Sequence, residues 1–184
     1  MGETARAENF SLNGYERDTN PALSRRDVIS FADVTAAGTS TAASVPLMFS
    51  HKTRGYSVDK AKRMENVVDL LNQSGYSVCW IENDGGCKGV CDRVDRVDIK
   101  PDNPEYCDGT TCHDEIMLDG LGEYIAGGEG DRFVVLHTIG SHAPTYFKRY
   151  PAGFRKFEPT CDTSELQDCP RESIVNTYDN TILY

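Results

Sequence analysis

The sequence contains no apolar stretch of the roughly 20 residues that a membrane-spanning helix needs, and Met1-Gly2-Glu3-Thr4-Ala5-Arg6 lacks a signal peptide's apolar core. Taken literally, these absences predict a chain that is neither exported nor anchored. Positive charge is scarce: 19 Lys and Arg stand against 29 Asp and Glu, a net charge of -10, and no run of basic residues makes a local footprint. Such a surface repels phosphodiester backbones, so no nucleic-acid partner is expected. Internal repeats, low-complexity tracts and a dividing linker are missing too. What is present, 184 residues with 39% hydrophobic and 26% charged content, suffices for one domain with a real core.

The cysteines contradict the missing export signal. Six of the seven form three close pairs, Cys87/Cys91, Cys107/Cys112 and Cys161/Cys169, each in a polar, turn-rich segment. That pattern fits local disulfides and an oxidising compartment. Loops this small stabilise by roughly 2 to 2.5 kcal/mol per bridge in the chain-entropy view. A zinc site built from Cys87, Cys91, Cys107, Cys112 and His113 is the competing reading, although its spacings do not match common zinc knuckles. Spacing alone leaves connectivity open. Cys79, within Ser77-Val78-Cys79-Trp80-Ile81, reads as a buried free thiol. A missing N-terminal portion would reconcile the cysteines with the absent signal.

Periodicity predicts an α/β fold. The first thirty residues are polar and turn-rich, and Val28-Ile29-Ser30-Phe31 reads as a short strand. A 3.6-period stripe predicts a helix over 58–74, closed by Gly75. A strand is expected over 76–82, a second amphipathic helix over 114–126, and a strand covered on both faces over 133–138. Helix, strand, helix, strand in succession argues for a mainly parallel sheet, with ligands at the carboxyl ends of its strands. A stripe from Glu172 through Ile174, Tyr178 and Ile182 predicts a last helix that stops abruptly at Tyr184, and no strand precedes Glu3; both ends read as cut.

On local sequence two residues, Thr41 and His142, could carry chemistry. Thr41 lies in the small and hydroxyl-rich run Ala37 to Ser44; at a helix N-terminus its hydroxyl would face a favourable site for a phosphoryl group. The same cluster also suits a helix cap, and a hydroxyl nucleophile needs a metal or base that is not adjacent in sequence. His142 follows the buried strand on the turn Ile139-Gly140-Ser141, well placed for a site or simply for a loop hydrogen bond. Glu3 alone is an acidic terminus, and Lys88, between Cys87 and Cys91, is alone a surface lysine.

In order along nearly the whole chain, Gly2-Glu3-Thr4-Ala5-Arg6, Asn13 to Thr19, Gly38-Thr39-Ser40-Thr41-Ala42, Val45-Pro46 with Met48-Phe49-Ser50, Glu82 to Asp92, Leu136-His137 with Gly140 and His142, Lys148-Arg149-Tyr150, and Asn176 to Asn180 closely resemble the lipid A phosphoethanolamine transferases. That family includes the mobile colistin-resistance enzymes. The resemblance implies a partial catalytic domain over 1–184, an α/β/α sandwich of the alkaline phosphatase and sulfatase-like superfold, truncated at both ends. Its parent would be a zinc-dependent enzyme on the periplasmic face of the bacterial inner membrane, held there by an N-terminal membrane domain that these residues do not include. The implied reaction moves phosphoethanolamine from phosphatidylethanolamine to a lipid A phosphate through a threonine adduct. Thr41 matches the nucleophile, Glu3 and Thr41 match zinc ligands, and Lys88 and His142 match residues lining the substrate site. Two departures stand out: Ala37 and Leu47 replace a cysteine pair common in relatives, and Ala143 replaces a glycine. The family's remaining zinc ligands, in an Asp-His-Gly-Glu stretch, lie beyond residue 184, so the fragment is expected to be inactive alone. A non-catalytic remnant that binds lipid headgroups, or a related phosphoglycerol transferase or sulfatase, are the alternatives.

Overall fold

The computed structural model describes residues 1–31, 33–52 and 55–184. They divide into two compact units: Met1, Val34–Lys100 and Glu115–Thr138 in the first, and Gly2–Asp33, Pro101–Asp114 and Ile139–Tyr184 in the second.

The first unit is built on a parallel three-stranded sheet of order β2-β1-β3, with β1 at Ser77–Glu82, β2 at Asp95–Asp98 and β3 at Arg132–His137. The apolar, β-branched and aromatic content of β1 and β3 drives them inward, as predicted. β2 was not expected. Three of its four residues are charged and all four are exposed, the composition of a protected edge strand. Met1 extends the far edge of β3: its amino group donates to Leu136 O at 2.6 Å and its carbonyl accepts from Thr138 N at 3.2 Å.

The helix predicted over 58–74 is two helices, α2 at Val58–Ala61 and α3 at Val67–Gln73, after α1 at Thr41–Met48. Asn66 restarts the helix. Its side-chain oxygen accepts from Val68 N and the Asp69 carboxylate accepts from Asn66 N, both at 2.8 Å, a reciprocal cap worth about 1 kcal/mol. Arg93 then grips Asp69 through Nε at 2.8 Å. Gly75 ends the stretch at φ 92°, as its position in the sequence predicted. The second predicted helix is likewise divided into a 3-10 turn, Asp114–Leu118, and α4, Leu121–Ala126, by Gly120 in the left-handed region. Val45, Val68, Val78, Trp80, Val90 and Val135 form the core. Trp80 is fully buried, its ring 5.2 Å from that of Phe49. Burying a ring of that size contributes roughly 4 to 6 kcal/mol before opposing costs.

The second unit has little regular structure besides α5, Arg171–Leu183, which starts one residue before the predicted stripe. Its buried face is mostly polar: Ser173, Asn176, Thr177, Asp179, Asn180 and Thr181 are all buried. Asn176, Thr177, Asp179, Asn180 and Thr181 are each satisfied by side chains or loop backbone, as buried polar groups must be. The Asp179 carboxylate accepts from Asn9 at 2.7 Å, Tyr15 at 2.8 Å and Arg17 at 2.9 Å. Asn180 holds the loop at Lys156 and Phe157 through three hydrogen bonds. The strand expected at 28–31 does not form; Ile29 and Phe31 are 85% and 73% exposed.

All three short-range cysteine pairs are disulfides, Cys87–Cys91 in the first unit and Cys107–Cys112 and Cys161–Cys169 in the second. Bonded sulfurs are not thiolates, so the alternative zinc cluster of Cys87, Cys91, Cys107, Cys112 and His113 is not formed. Cys79 is the buried free thiol, its pKa raised by burial and by the Asp95 charge.

Candidate active site

The parallel register pairs Glu82 with His137 at the carboxyl ends of β1 and β3, where ligands of parallel sheets bind. Both side chains are buried. Glu82 Oε2 lies 2.9 Å from His137 Nδ1 and accepts from Trp80 Nε1 at 2.9 Å, while Oε1 accepts from Asp84 N at 2.7 Å. Burial alone would raise the Glu82 pKa, but the hydrogen bonds from His137, Trp80 and the Asp84 backbone outweigh it and hold the carboxyl at about 2.

A carboxylate only accepts, so His137 donates from Nδ1, and a neutral ring in that tautomer presents its lone pair at Nε2. Nε2 is buried without a hydrogen-bond partner. Asp84 Oδ2 is 3.7 Å away, too far for a hydrogen bond. An orphaned imidazole nitrogen beside a carboxylate, with its other nitrogen oriented by a second carboxylate, is the donor arrangement of a metal-binding histidine. The pair fits a zinc ion and supplies two of the four ligands such an ion takes.

Thr41 is the first residue of α1. Ser40 precedes it in extended conformation without a side-chain cap bond, and the helix's own hydrogen bonds begin with Ala43 and Ser44 donating to Ser40 O. The first-turn N–H groups therefore surround the Thr41 end of the helix, a setting suited to an anionic phosphoryl group. Gly38 is required for this packing: a Cβ there would stand 2.8 Å from that of Ala43. Lys88 adopts φ 55° in the Cys87–Cys91 loop and donates to Gly85 O at 3.1 Å.

Glu3 and His142 lie in the second unit, on one turn. Glu3 O accepts from Ser141 N at 3.0 Å, and a Cβ on Gly140, at φ 48°, would approach Glu3 O to 2.8 Å, so only glycine fits. The Asp114 carboxylate accepts from Ile139 N at 2.8 Å and Gly140 N at 2.9 Å. Arg149 Nε donates to His142 O at 3.1 Å, and Thr181 reaches Ser141 at 2.7 Å. His142 is thus exposed at the tip of a turn braced from three sides. Sequence reasoning missed Glu82, Asp84 and His137 as a group, because a histidine inside an apolar run reads as core. Asp114, the first residue of the helix predicted over 114–126, was not expected to brace this turn.

Sheet, carboxylate-oriented histidine and helix-borne threonine define a member of the sulfatase family: the family model matches residues 1–184, and the chain belongs to it. Its fold is the α/β fold shared with alkaline phosphatases. Within the family the similarity is to phosphoethanolamine transferases. The chain is 53% identical over 186 residues to phosphoethanolamine transferase EptA of Escherichia coli K12, covering all of this chain and 34% of that protein. It is 44% identical over 193 residues to phosphatidylethanolamine transferase Mcr-1 of Escherichia coli, covering 36% of that protein. The crystal structure of the soluble domain of lipooligosaccharide phosphoethanolamine transferase A from Neisseria meningitidis matches all of this chain and 56% of its own, with a TM-score of 0.96 and 47% identity. The chain spans about a third of the length of the curated relatives it matches. Among the described residues, no helix is long and apolar enough to cross a membrane.

Proposed function

We propose that these residues are part of the catalytic domain of a zinc-dependent phosphoethanolamine transferase that acts at the periplasmic face of the inner membrane, taking the group from phosphatidylethanolamine to a lipid A phosphate. The observation that carries the reading is the orphaned Nε2 of His137, held by Glu82 beside Asp84 at the carboxyl end of the sheet. The similarity to transferases over the whole chain supports the choice of reaction.

In this reading Thr41 Oγ attacks phosphorus, the bond from phosphorus to the diacylglycerol oxygen breaks, and diacylglycerol leaves with the proton that Thr41 gives up. An oxygen of the lipid A phosphate then attacks the same phosphorus, and its proton restores the Thr41 hydroxyl. The N–H groups at the start of α1 offset charge on the phosphoryl oxygens. By family resemblance Lys88 and His142 are each assigned to the donor headgroup and Glu3 and Thr41 to the metal, and within the first unit His137 and Asp84 are candidate metal donors. Zinc, when bound, polarises phosphoryl oxygens and makes an alcohol ligand more acidic. Because the chain is about a third of its relatives, this activity is proposed for the whole protein.

The test is incubation of the whole parent protein with zinc and phosphatidylethanolamine, beside residues 1–184 alone, which are expected to give no adduct, followed by peptide mass spectrometry. The expected result is a phosphoethanolamine adduct on the peptide bearing Thr41, lost in Thr41→Ala. An adduct that survives Thr41→Ala, or none under any condition, overturns the reading.

A further inference from the structure

Among the described residues, two that are not glycine adopt positive φ: Lys88 at 55° and Thr4 at 53°. Thr4 is the greater departure, because a β-branched side chain crowds the backbone in that region. Such a conformation is costly and persists only where its surroundings over-determine it; residues of this kind cluster at functional sites. Thr4 directly follows Glu3, the residue that family resemblance assigns to the metal.

The surroundings that hold Thr4 come from α5. Tyr178 is buried, with the Tyr146 ring edge-on to it at a centroid distance of 5.4 Å. Its hydroxyl donates to Thr4 O at 2.7 Å and accepts from Arg6 N at 2.8 Å. Those are the carbonyl and the amide that a tight three-residue turn would pair with each other, so the hydroxyl takes both bonds and holds the turn open. One position further along α5, Asp179 accepts from Asn9 at 2.7 Å and fixes the same segment again. On the other side of Glu3, Ser141 N donates to its carbonyl, and the missing Cβ of Gly140 leaves room for its backbone. In an extended chain successive side chains point to opposite faces. The left-handed turn at Thr4 instead brings its hydroxyl to Glu3, where Oγ1 donates to Oε1 at 2.8 Å. All of these residues belong to the second unit.

We propose that Thr4 and Tyr178 are positioning residues for Glu3. Tyr178 keeps Thr4 left-handed, and Thr4 engages one carboxylate oxygen and so fixes the rotation of the group. A carboxylate already oriented by a hydrogen bond loses less rotamer freedom when it takes up a metal. The inference rests on the reading of Glu3 as a metal donor and adds to it the residues that act through Glu3.

The test is zinc titration of the whole parent protein, freed of metal by chelation, in competition with a chromophoric chelator, with urea unfolding of the zinc-free protein beside it. Thr4→Val, of the same shape without the hydroxyl, and Tyr178→Phe are each expected to bind zinc about 10 to 100 times more weakly. Thr4→Ser, which keeps the hydroxyl, should bind zinc nearly as the original does. Thr4→Gly separates positioning from folding: glycine is relaxed at φ 53°, so zinc-free stability should not fall while zinc affinity drops by a similar factor. Glu3→Gln should weaken zinc at least as much, and Thr4→Val added to it should cost nothing further. Undiminished zinc binding by Thr4→Val, Thr4→Gly or Tyr178→Phe, or a Thr4→Val loss that is just as large beside Glu3→Gln, would overturn the proposal while leaving Glu3 a metal donor. Unchanged affinity in Glu3→Gln would instead remove Glu3 from the metal site, and the proposal with it.

Discussion

The two units bury different chemistry. Around β1 the first unit buries Val45, Val68, Val78, Trp80 and Val135, with polar groups confined to the ends of the strands. Along α5 the second unit buries Asn176, Thr177, Asp179 and Asn180, each partnered by a loop. Apolar packing tolerates small losses because the surroundings partly close over them. A buried polar network does not, since removing one member leaves its partners desolvated and unpaired. The second unit is therefore held by contacts that are individually more costly to lose, and its two disulfides fit a region without a sheet.

The largest effects should expose this difference. Asp179→Ala removes the shared acceptor of Asn9, Tyr15 and Arg17, and the Arg17 side chain is only 28% exposed. A loss of about 3 to 5 kcal/mol is expected in urea unfolding. Val68→Ala, at an equally buried position of the apolar core, should cost about 2 kcal/mol. Equal losses, or the reverse order, would break the comparison.

The units should also fail at opposite ends of the pH scale. Glu82 in the first unit has its folded pKa held at about 2, below the ordinary carboxyl value of 4.5. Its contribution is complete above pH 4.5 and is lost as pH falls toward 2. Tyr178 in the second unit is raised to about 12, by burial against the opposing effects of the Arg6 N–H bond and charge. Its contribution is complete below pH 10 and is lost as pH rises toward 12. Acid unfolding should be read by the fluorescence of Trp80, which donates to Glu82, and alkaline unfolding by tyrosinate absorbance. Glu82→Gln should flatten only the acid limb and Tyr178→Phe only the alkaline one.

How much of this was legible in the sequence follows the same division. The apolar alternation of β1 and the dense apolar run of β3 gave their places within a residue or two, and the stripe through Ile174, Tyr178 and Ile182 gave α5. A hydropathy stripe assigns Asn176, Asp179 and Asn180 to solvent, so the buried network was invisible. The break at Asn66 was visible in principle, since Asn-x-x-Asp is a capping signature, but the apolar period ran across it. Charged β2 carried no strand signal, and Val28-Ile29-Ser30-Phe31 carried one without a paired partner in the fold. Thr41, Glu3, Lys88 and His142 were singled out by family resemblance. His137, Asp84 and Glu82 needed the register of two strands distant in sequence.

The smallest expected effect tests whether every polar contact of the second unit matters equally. Lys148 Nζ lies 2.7 Å from Asp108 Oδ2, and that bond, with those from Thr110 and Thr111, pulls the Asp108 carboxyl far below the usual range. Taken at face value such a shift signals a strong interaction. The side chains are however 34% and 42% exposed, and solvent competes for both charges. Exposed pairs contribute about 0 to 1 kcal/mol, whatever their geometry. Lys148→Ala should therefore lower urea stability by less than about 1 kcal/mol at neutral pH, and less still in high salt, where screening already weakens the pair. A loss approaching that of Asp179→Ala would mean that the network around α5 extends to the surface and that burial is not what separates its strong contacts from its weak ones.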